Sequence, residues 1–195
     1  MGHDSHFNRL VERLRAGDED AVAELVRDYE PFIRRSIRLR LRDQRLRRMF
    51  DSMDICQSVL ASFCVRAALG QYDLDEPSQL PKLLNTMARN KLAHEVQRLR
   101  AGRRDYRRAE PMESGFAGPA STADSPSEMI SRGELLSEFR SHLTEEEKQI
   151  VALRDSGLDW VGLAARMGGT PDGRRMQLTR AISRIALALR INSFD

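Results

Sequence analysis

Between Ala101 and Ser127 the sequence stops offering anything that can pack. The run opens AGRRDYRR and continues EPMESGFAGPASTADSPS, with three prolines, two glycines and four serines after Ala109. Such a composition suits a flexible tether, because it holds too little apolar surface to offset the entropy of ordering it. The segment from 101 to 127 therefore divides a chain of 195 residues into two flanks, 1–100 and 128–195. Each flank is large enough for one small domain.

Both flanks read as helices. Apolar residues make up 41% of the chain but aromatics only 6%. Few stretches concentrate the β-branched and aromatic residues that strands favour. In the first flank, Phe7, Leu10, Val11 and Leu14 keep helical spacing up to Gly17. A second helix starts near Asp18 and carries Val22, Leu25, Val26, Tyr29, Ile33, Ile37 and Leu41 on one stripe. Pro31 lies inside it and should bend or divide it. A third runs from about Ser52 to Leu69, burying Ile55, Val59, Phe63 and Ala67. A turn-rich loop from Gly70 to Ser78 follows, then a fourth helix from about Pro77 to Arg100. In the second flank, Thr144 to Glu147 has the spacing of a capping box and starts a helix that ends at Gly157. A short helix, Asp159 to Met167, is followed by Gly168-Gly169. Thr170-Pro171 then supplies an N-cap and a first-turn proline for a last helix.

Composition excludes several classes of function. Cys56 and Cys64 sit on one helix about 12 Å apart, too far for a disulfide between them. No CxxC or HExxH spacing occurs, and the four histidines are scattered. No metal or cofactor is expected, and no catalytic constellation is present, so the chain does not read as an enzyme. The N-terminal MGHDSHFNRL lacks an apolar signal core, and no run approaches the roughly 18 apolar residues of a membrane span. A cytoplasmic protein is the expectation. The net charge of +3 decides little, but its distribution is uneven. Eight arginines stand against one acid, Asp43, between Arg34 and Arg48, and nine basic residues stand against Glu95 and Asp105 between Lys82 and Arg108. Such clusters suit a polyanionic partner, or else form solvated helix faces. The second flank is balanced between acids and bases, so its own grip on phosphate should be weak.

A short helix, a glycine turn and a capped helix make the layout of a helix-turn-helix. Leu178, Ile182, Ile185 and Leu189 form one buried stripe on the last helix. The opposite face shows Asp172, Arg175, Met176, Thr179, Arg180 and Ser183, polar and basic as a groove-reading helix requires. An ordinary helical hairpin with a wet face has the same pattern. On the fourth helix, Leu80, Leu83, Leu84 and Met87 form the apolar face. Beyond Ala88 that azimuth passes to Asn90, Lys91, His94 and Arg98, while Leu92, Val96 and Leu99 define a rotated stripe. Part of this helix is therefore expected to face nucleic acid.

At these residues the chain resembles the bacterial extracytoplasmic-function (ECF) sigma factors. Asp51-Ser52-Met53-Asp54-Ile55-Cys56-Gln57 is similar to the family segment that docks on the clamp helices of the polymerase β′ subunit. The resemblance assigns Asp51, Asp54, Ile55 and Gln57 to core binding, although the two acids could equally serve as helix caps. Leu83 to Leu92, LLNTMARNKL, resembles the stretch that recognises the −10 promoter element. It implies contacts from Asn90, Lys91, His94 and Arg98, with Tyr72 in the preceding loop able to stack on a flipped base or to lie half-buried in the core. Gly157 to Ala164, GLDWVGLA, with Met167-Gly168, resembles the entry to the −35-reading helix-turn-helix. It implies contacts from Thr170, Arg174, Arg175, Met176, Thr179 and Arg180. The family's aromatic ahead of the −10 stretch has no counterpart between Leu80 and Leu84, and Arg174 stands where an apolar residue is usual.

The resemblance implies an all-α chain of two helical domains. A sigma region 2 bundle (1–100) and a sigma region 4 helix-turn-helix (128–195) would be joined by the flexible 101–127. The implied partners are RNA polymerase core, through the β′ clamp helices and β flap, and promoter DNA, with an anti-sigma factor as a further candidate. The alternative is a helix-turn-helix regulator that binds duplex DNA without docking on polymerase.

Overall fold

The computed structural model describes residues 2–41, 50–108, 132–189 and 191. Among the described residues every regular element is a helix. In chain order they are α1 (Gly2–Arg15), α2 (Glu19–Arg40), α3 (Ser52–Ala68), α4 (Gln79–Arg108), α5 (Arg132–Ser141), α6 (Glu145–Asp155), α7 (Trp160–Met167) and α8 (Pro171–Ala188). They gather into two helical clusters, α1–α4 and α5–α8, each around its own apolar core.

Local chemistry sets the helix ends. The Asp18 carboxylate accepts from the amides of Asp20 and Ala21 to begin α2, and Arg13 donates to the same carboxylate at 2.7 Å. Those contacts, the Arg13 bond foremost, hold the Asp18 carboxyl below the ordinary carboxylate range. The Thr144–Glu147 capping box is present in both directions. Glu147 also receives Arg184 of α8 at 2.7 Å, so one carboxylate closes a helix end and ties two helices together. Pro31 lies within α2 without dividing it. It sits on the exposed side, as does Arg27, whose carbonyl the proline leaves unpaired and which water can satisfy there.

The first core is built from Phe7, Leu10 and Leu14 of α1, Leu25, Ile33 and Ile37 of α2, Ile55, Val59 and Phe63 of α3, and Leu80, Leu84 and Ala88 of α4. The second unites Leu136 and Phe139 of α5, Ile150 of α6, Trp160 and Leu163 of α7, and Leu178, Ile182 and Ile185 of α8. Three residues at the end of α3, Val65, Ala68 and Leu69, pack into this second core and not into the first. The two clusters therefore meet along an apolar seam.

Two expectations about segment boundaries change. Helix α4 continues through Arg108, eight residues past the expected start of the tether at 101. Its basic sequence, RRDYRR, is compatible with helix, and proline first occurs only at 111. The rest of the expected tether, 109–127, lies outside the described residues, as do residues 42–49 with half of the first arginine cluster. Helix α5 is an element that the periodicity of the second flank did not announce. Among the described residues no helix is long and apolar enough to cross a membrane, and no cluster of side chains could hold a metal ion.

Candidate nucleic-acid interfaces

The turn between α7 and α8 is made by two glycines in the left-handed region, Gly168 at φ 79° and Gly169 at φ 85°. Side chains other than glycine are strained there. Thr170 caps α8 by accepting from the Gly173 amide at 3.0 Å. A Cβ at Gly173 would lie 2.8 Å from the Thr170 hydroxyl oxygen, so this glycine, which costs helix stability, leaves room for the cap. Arg174 donates to the carbonyls of Met167 (2.8 Å) and Gly168 (2.9 Å) and to the carboxylate of Glu146 on α6. It thus satisfies the last carbonyls of α7, which have no partner inside their own helix. Its hydrogen bond, with that of Gln177, holds the Glu146 carboxyl below its ordinary range.

Thr170 and Arg174, expected as −35 contacts, are therefore engaged in building the turn. The remaining candidates lie on the outer side of α8. Arg175, Met176 and Arg180 are exposed and Thr179 is half-covered, opposite the buried Leu178, Ala181, Ile182 and Ile185. Such a surface, with one apolar side chain among cations and a hydroxyl, can meet both phosphates and base edges.

In the first cluster, α4 splits the candidates that share its second half. Asn90, His94 and Arg98 are exposed, with Arg89 beside Asn90. Lys91 is not: it is 6% exposed, with its ammonium 3.4 Å from the Glu95 carboxylate. The apolar azimuth of Leu80, Leu84 and Ala88 continues into the core at Lys91 and Glu95, where an ion pair takes the place of a leucine pair. Expecting Lys91 at DNA followed from treating charge as a sign of exposure. Arg98 closes the arrangement from outside, 2.9 Å from the same Glu95.

Tyr72 also lies inward. Its ring stacks on Phe63 with centroids 5.6 Å apart and planes 8° from parallel, and its hydroxyl points to the Met87 sulfur at 3.7 Å. Burial pushes that hydroxyl's pKa up to about 12. One face of the ring is already occupied, so Tyr72 forms a wall of the core and not an open stacking platform.

The candidate docking segment separates in the same way. Asp51 caps α3, accepting from Met53 at 2.8 Å. Ile55 is buried in the first core. Asp54 and Gln57, three residues apart, are both exposed on one side of α3.

Sequence reading missed a group that the fold brings together from distant places. The Arg154 guanidinium of α6 is buried over the Trp160 ring, 4.6 Å from its centroid. It donates to the carbonyls of Leu158 (2.6 Å) and Gly70 (2.7 Å) and to the Asp73 carboxylate. Gly70, at φ 71°, accepts this approach because it lacks a Cβ: one built there would lie 2.6 Å from Arg154 Cβ. Beside it, Arg66 donates to Ser62 (3.2 Å) and to the Gln71 amide oxygen (3.1 Å). The Gln71 amide nitrogen then donates to the Thr179 hydroxyl at 2.9 Å. Asp73 also lies 3.9 Å from Arg175. The loop after α3 is thus bound to the outer side of α8.

A family model described as ECF sigma factor matches residues 4–188, nearly the whole chain and both helical clusters. No curated protein and no solved structure matches.

Proposed function

Because the chain belongs to the ECF sigma factor family, it is a non-catalytic RNA polymerase subunit that acts with core enzyme and promoter DNA in transcription initiation, and we propose how its two helical clusters divide that work. The first cluster, α1–α4, takes core polymerase and the −10 element; the second, α5–α8, reads the −35 duplex and rests on the β flap. Asp54 and Gln57 offer an acid and an amide, without burial cost, to basic and polar groups of the β′ clamp helices. Asn90, His94 and Arg98 line the side of α4 that meets the −10 strand. Arg175, Met176, Thr179 and Arg180 enter the major groove, with Met176 suited to a thymine methyl and Arg175 to guanine. Work with polymerase places the protein in the cytoplasm.

The observation that supports this division most is the outer side of α8. A short helix, a two-glycine turn and a capped helix present cations, a hydroxyl and one exposed methionine opposite a closed apolar stripe. The docking half of the reading has its own test. Asp54→Ala with Gln57→Ala should keep helicity unchanged and weaken core polymerase binding by about tenfold, a loss of roughly 1.4 kcal/mol. Unaltered affinity in a titration of labelled chain with core enzyme would remove these two residues from the interface.

A further inference from the structure

Two large apolar side chains of the first cluster stand in solvent, and they stand together. Phe32 is 44% exposed and Leu39 66%. They lie on one stripe of α2 with Asp28 and Arg35, at i, i+4, i+7 and i+11, and all four are exposed. Scattered apolar residues on a surface are ordinary, but a pair on one stripe around an arginine forms a patch. Phe32 is also the one exposed aromatic among the described side chains of this cluster. Phe7 and Phe63 are buried, and Tyr29, Phe50 and Tyr72 pack against the core.

The patch borders α4. Ser36, one turn from both Phe32 and Leu39, is nearly buried and donates to the Asn85 side-chain oxygen of α4. Arg40 closes the same junction by donating to the Ser36 carbonyl at 3.0 Å. Phe32 and Leu39 therefore flank the contact between the two helices. On α4, Lys82 and Arg89 flank Asn85 in the same way, and both are exposed. Asn90, assigned above to the −10 side, follows directly on Arg89. Neither stretch holds an acid: residues 31–41 carry Arg34, Arg35, Arg38 and Arg40, and residues 80–90 carry Lys82 and Arg89. Asp28, at the end of the stripe, is paired with Arg27 at 3.1 Å.

Resting on the −10 reading of α4 given above, we propose that the α2–α4 surface holds the unpaired DNA strand beside that element, with Phe32 as a stacking platform for one base. Bases in a duplex are stacked on one another and offer a protein ring no face, so an exposed ring among cations selects single strands. Tyr72, the stacking residue expected from sequence, is held in the core against Phe63. Phe32 presents the open ring that Tyr72 does not. Arg35 and Arg89 meet phosphates on either side of the stacked base, and Leu39 covers the apolar side of its neighbour. Stacking is tolerant of sequence, so this surface retains an opened strand and leaves its reading to Asn90, His94 and Arg98.

The test uses the full-length chain without core enzyme and two labelled probes, oligothymidylate and an abasic oligomer of equal length. Phe32→Ala should weaken oligothymidylate binding about tenfold, the loss of one stacked base, and leave abasic binding unchanged. Phe32→Tyr, which keeps a ring, should retain wild-type affinity for oligothymidylate. Arg35→Ala should weaken both probes alike and flatten the salt dependence of each. Circular dichroism checks the fold, and Phe32→Leu, which keeps an apolar side chain without a ring, carries the comparison if Phe32→Ala unfolds. Wild-type oligothymidylate affinity in folded Phe32→Leu or Phe32→Ala overturns the proposal. So does a wild-type chain that binds the abasic oligomer as tightly as oligothymidylate, since no base is then stacked. Lost affinity for core polymerase, or lost self-association in sedimentation, with oligothymidylate binding unaltered would give the patch to a protein partner and overturn it as well. Promoter opening by holoenzyme carrying His94→Ala and Arg98→Ala tests the −10 reading by itself, because neither residue belongs to the Phe32 surface.

Discussion

Lys91 and Arg98 are both cations on the second half of α4 and both meet Glu95, yet they stand in opposite environments. Lys91 is buried, and removing it leaves a carboxylate near the core with a partner on its outer side only. Lys91→Ala should therefore lower stability by about 1–3 kcal/mol in urea unfolding. Arg98→Ala, on an exposed pair, should cost under about 1 kcal/mol and instead flatten the salt dependence of promoter binding by about one unit of log–log slope. Equal destabilisation by the two would mean that Lys91 is not where α4 places it. The contrast also marks how far sequence reaches at this scale. The azimuth of Lys91 was legible from helical periodicity, and it coincides with that of Leu80 and Leu84. Its burial was not, because that depends on how α4 packs and on Glu95, four residues on, lying within reach of the buried ammonium. Arg174 is a similar case: its position in the first turn of α8 was evident, whereas its use on the carbonyls of α7 depends on how the glycine turn folds back.

Among the elements, α8 is the one whose two sides differ most in consequence. Leu178 is fully buried between α8 and its neighbours, so Leu178→Ala should cost roughly 2–5 kcal/mol through the cavity it opens. Arg175 is exposed, and its truncation should leave the melting temperature nearly unchanged. In a promoter-library selection, Arg175→Ala should relax preference at one −35 position, a discrimination worth about 1–3 kcal/mol. Uniform weakening across all −35 sequences would make Arg175 a phosphate contact. The caps of α6 and α8 were legible because each rests on residues close in sequence, Thr144 with Glu147 and Thr170 with Gly173; Asp159, expected inside α7, is instead its cap. Helix α5 was not, since its ten residues follow directly on a proline- and serine-rich stretch and carry only Leu135, Leu136 and Phe139 as apolar anchors. It forms because Phe139 and Leu136 find the second core, including Leu69 from the first cluster.

For the whole molecule, the seam predicts cooperative unfolding. With Leu69 in the second core and Arg154 buried against the loop of the first cluster, calorimetry of the free chain should give a single transition, and Leu69→Glu should split it into two. Two well-separated transitions in the wild-type chain would mean the clusters are energetically independent. None of this association could be read in advance. Gln71 and Thr179 are 108 residues apart and Asp73 and Arg154 are 81 apart, so no periodicity or motif links them. The division into two helical parts was legible from the break in composition, but their contact was not. One dimension of the fold then bears on how far apart the two clusters could work. Helix α4 has 30 residues, a rod of about 45 Å, and it carries the chain's exit point well away from the core of the first cluster. From its end at Arg108 to the start of α5 at Arg132, the intervening chain can stretch to at most about 80 Å. That exceeds two turns of duplex, each about 35 Å. The segment between them is thus long enough for the two clusters to sit two helical repeats of DNA apart, and chain length sets no limit on the proposed division of work between the −10 and −35 elements.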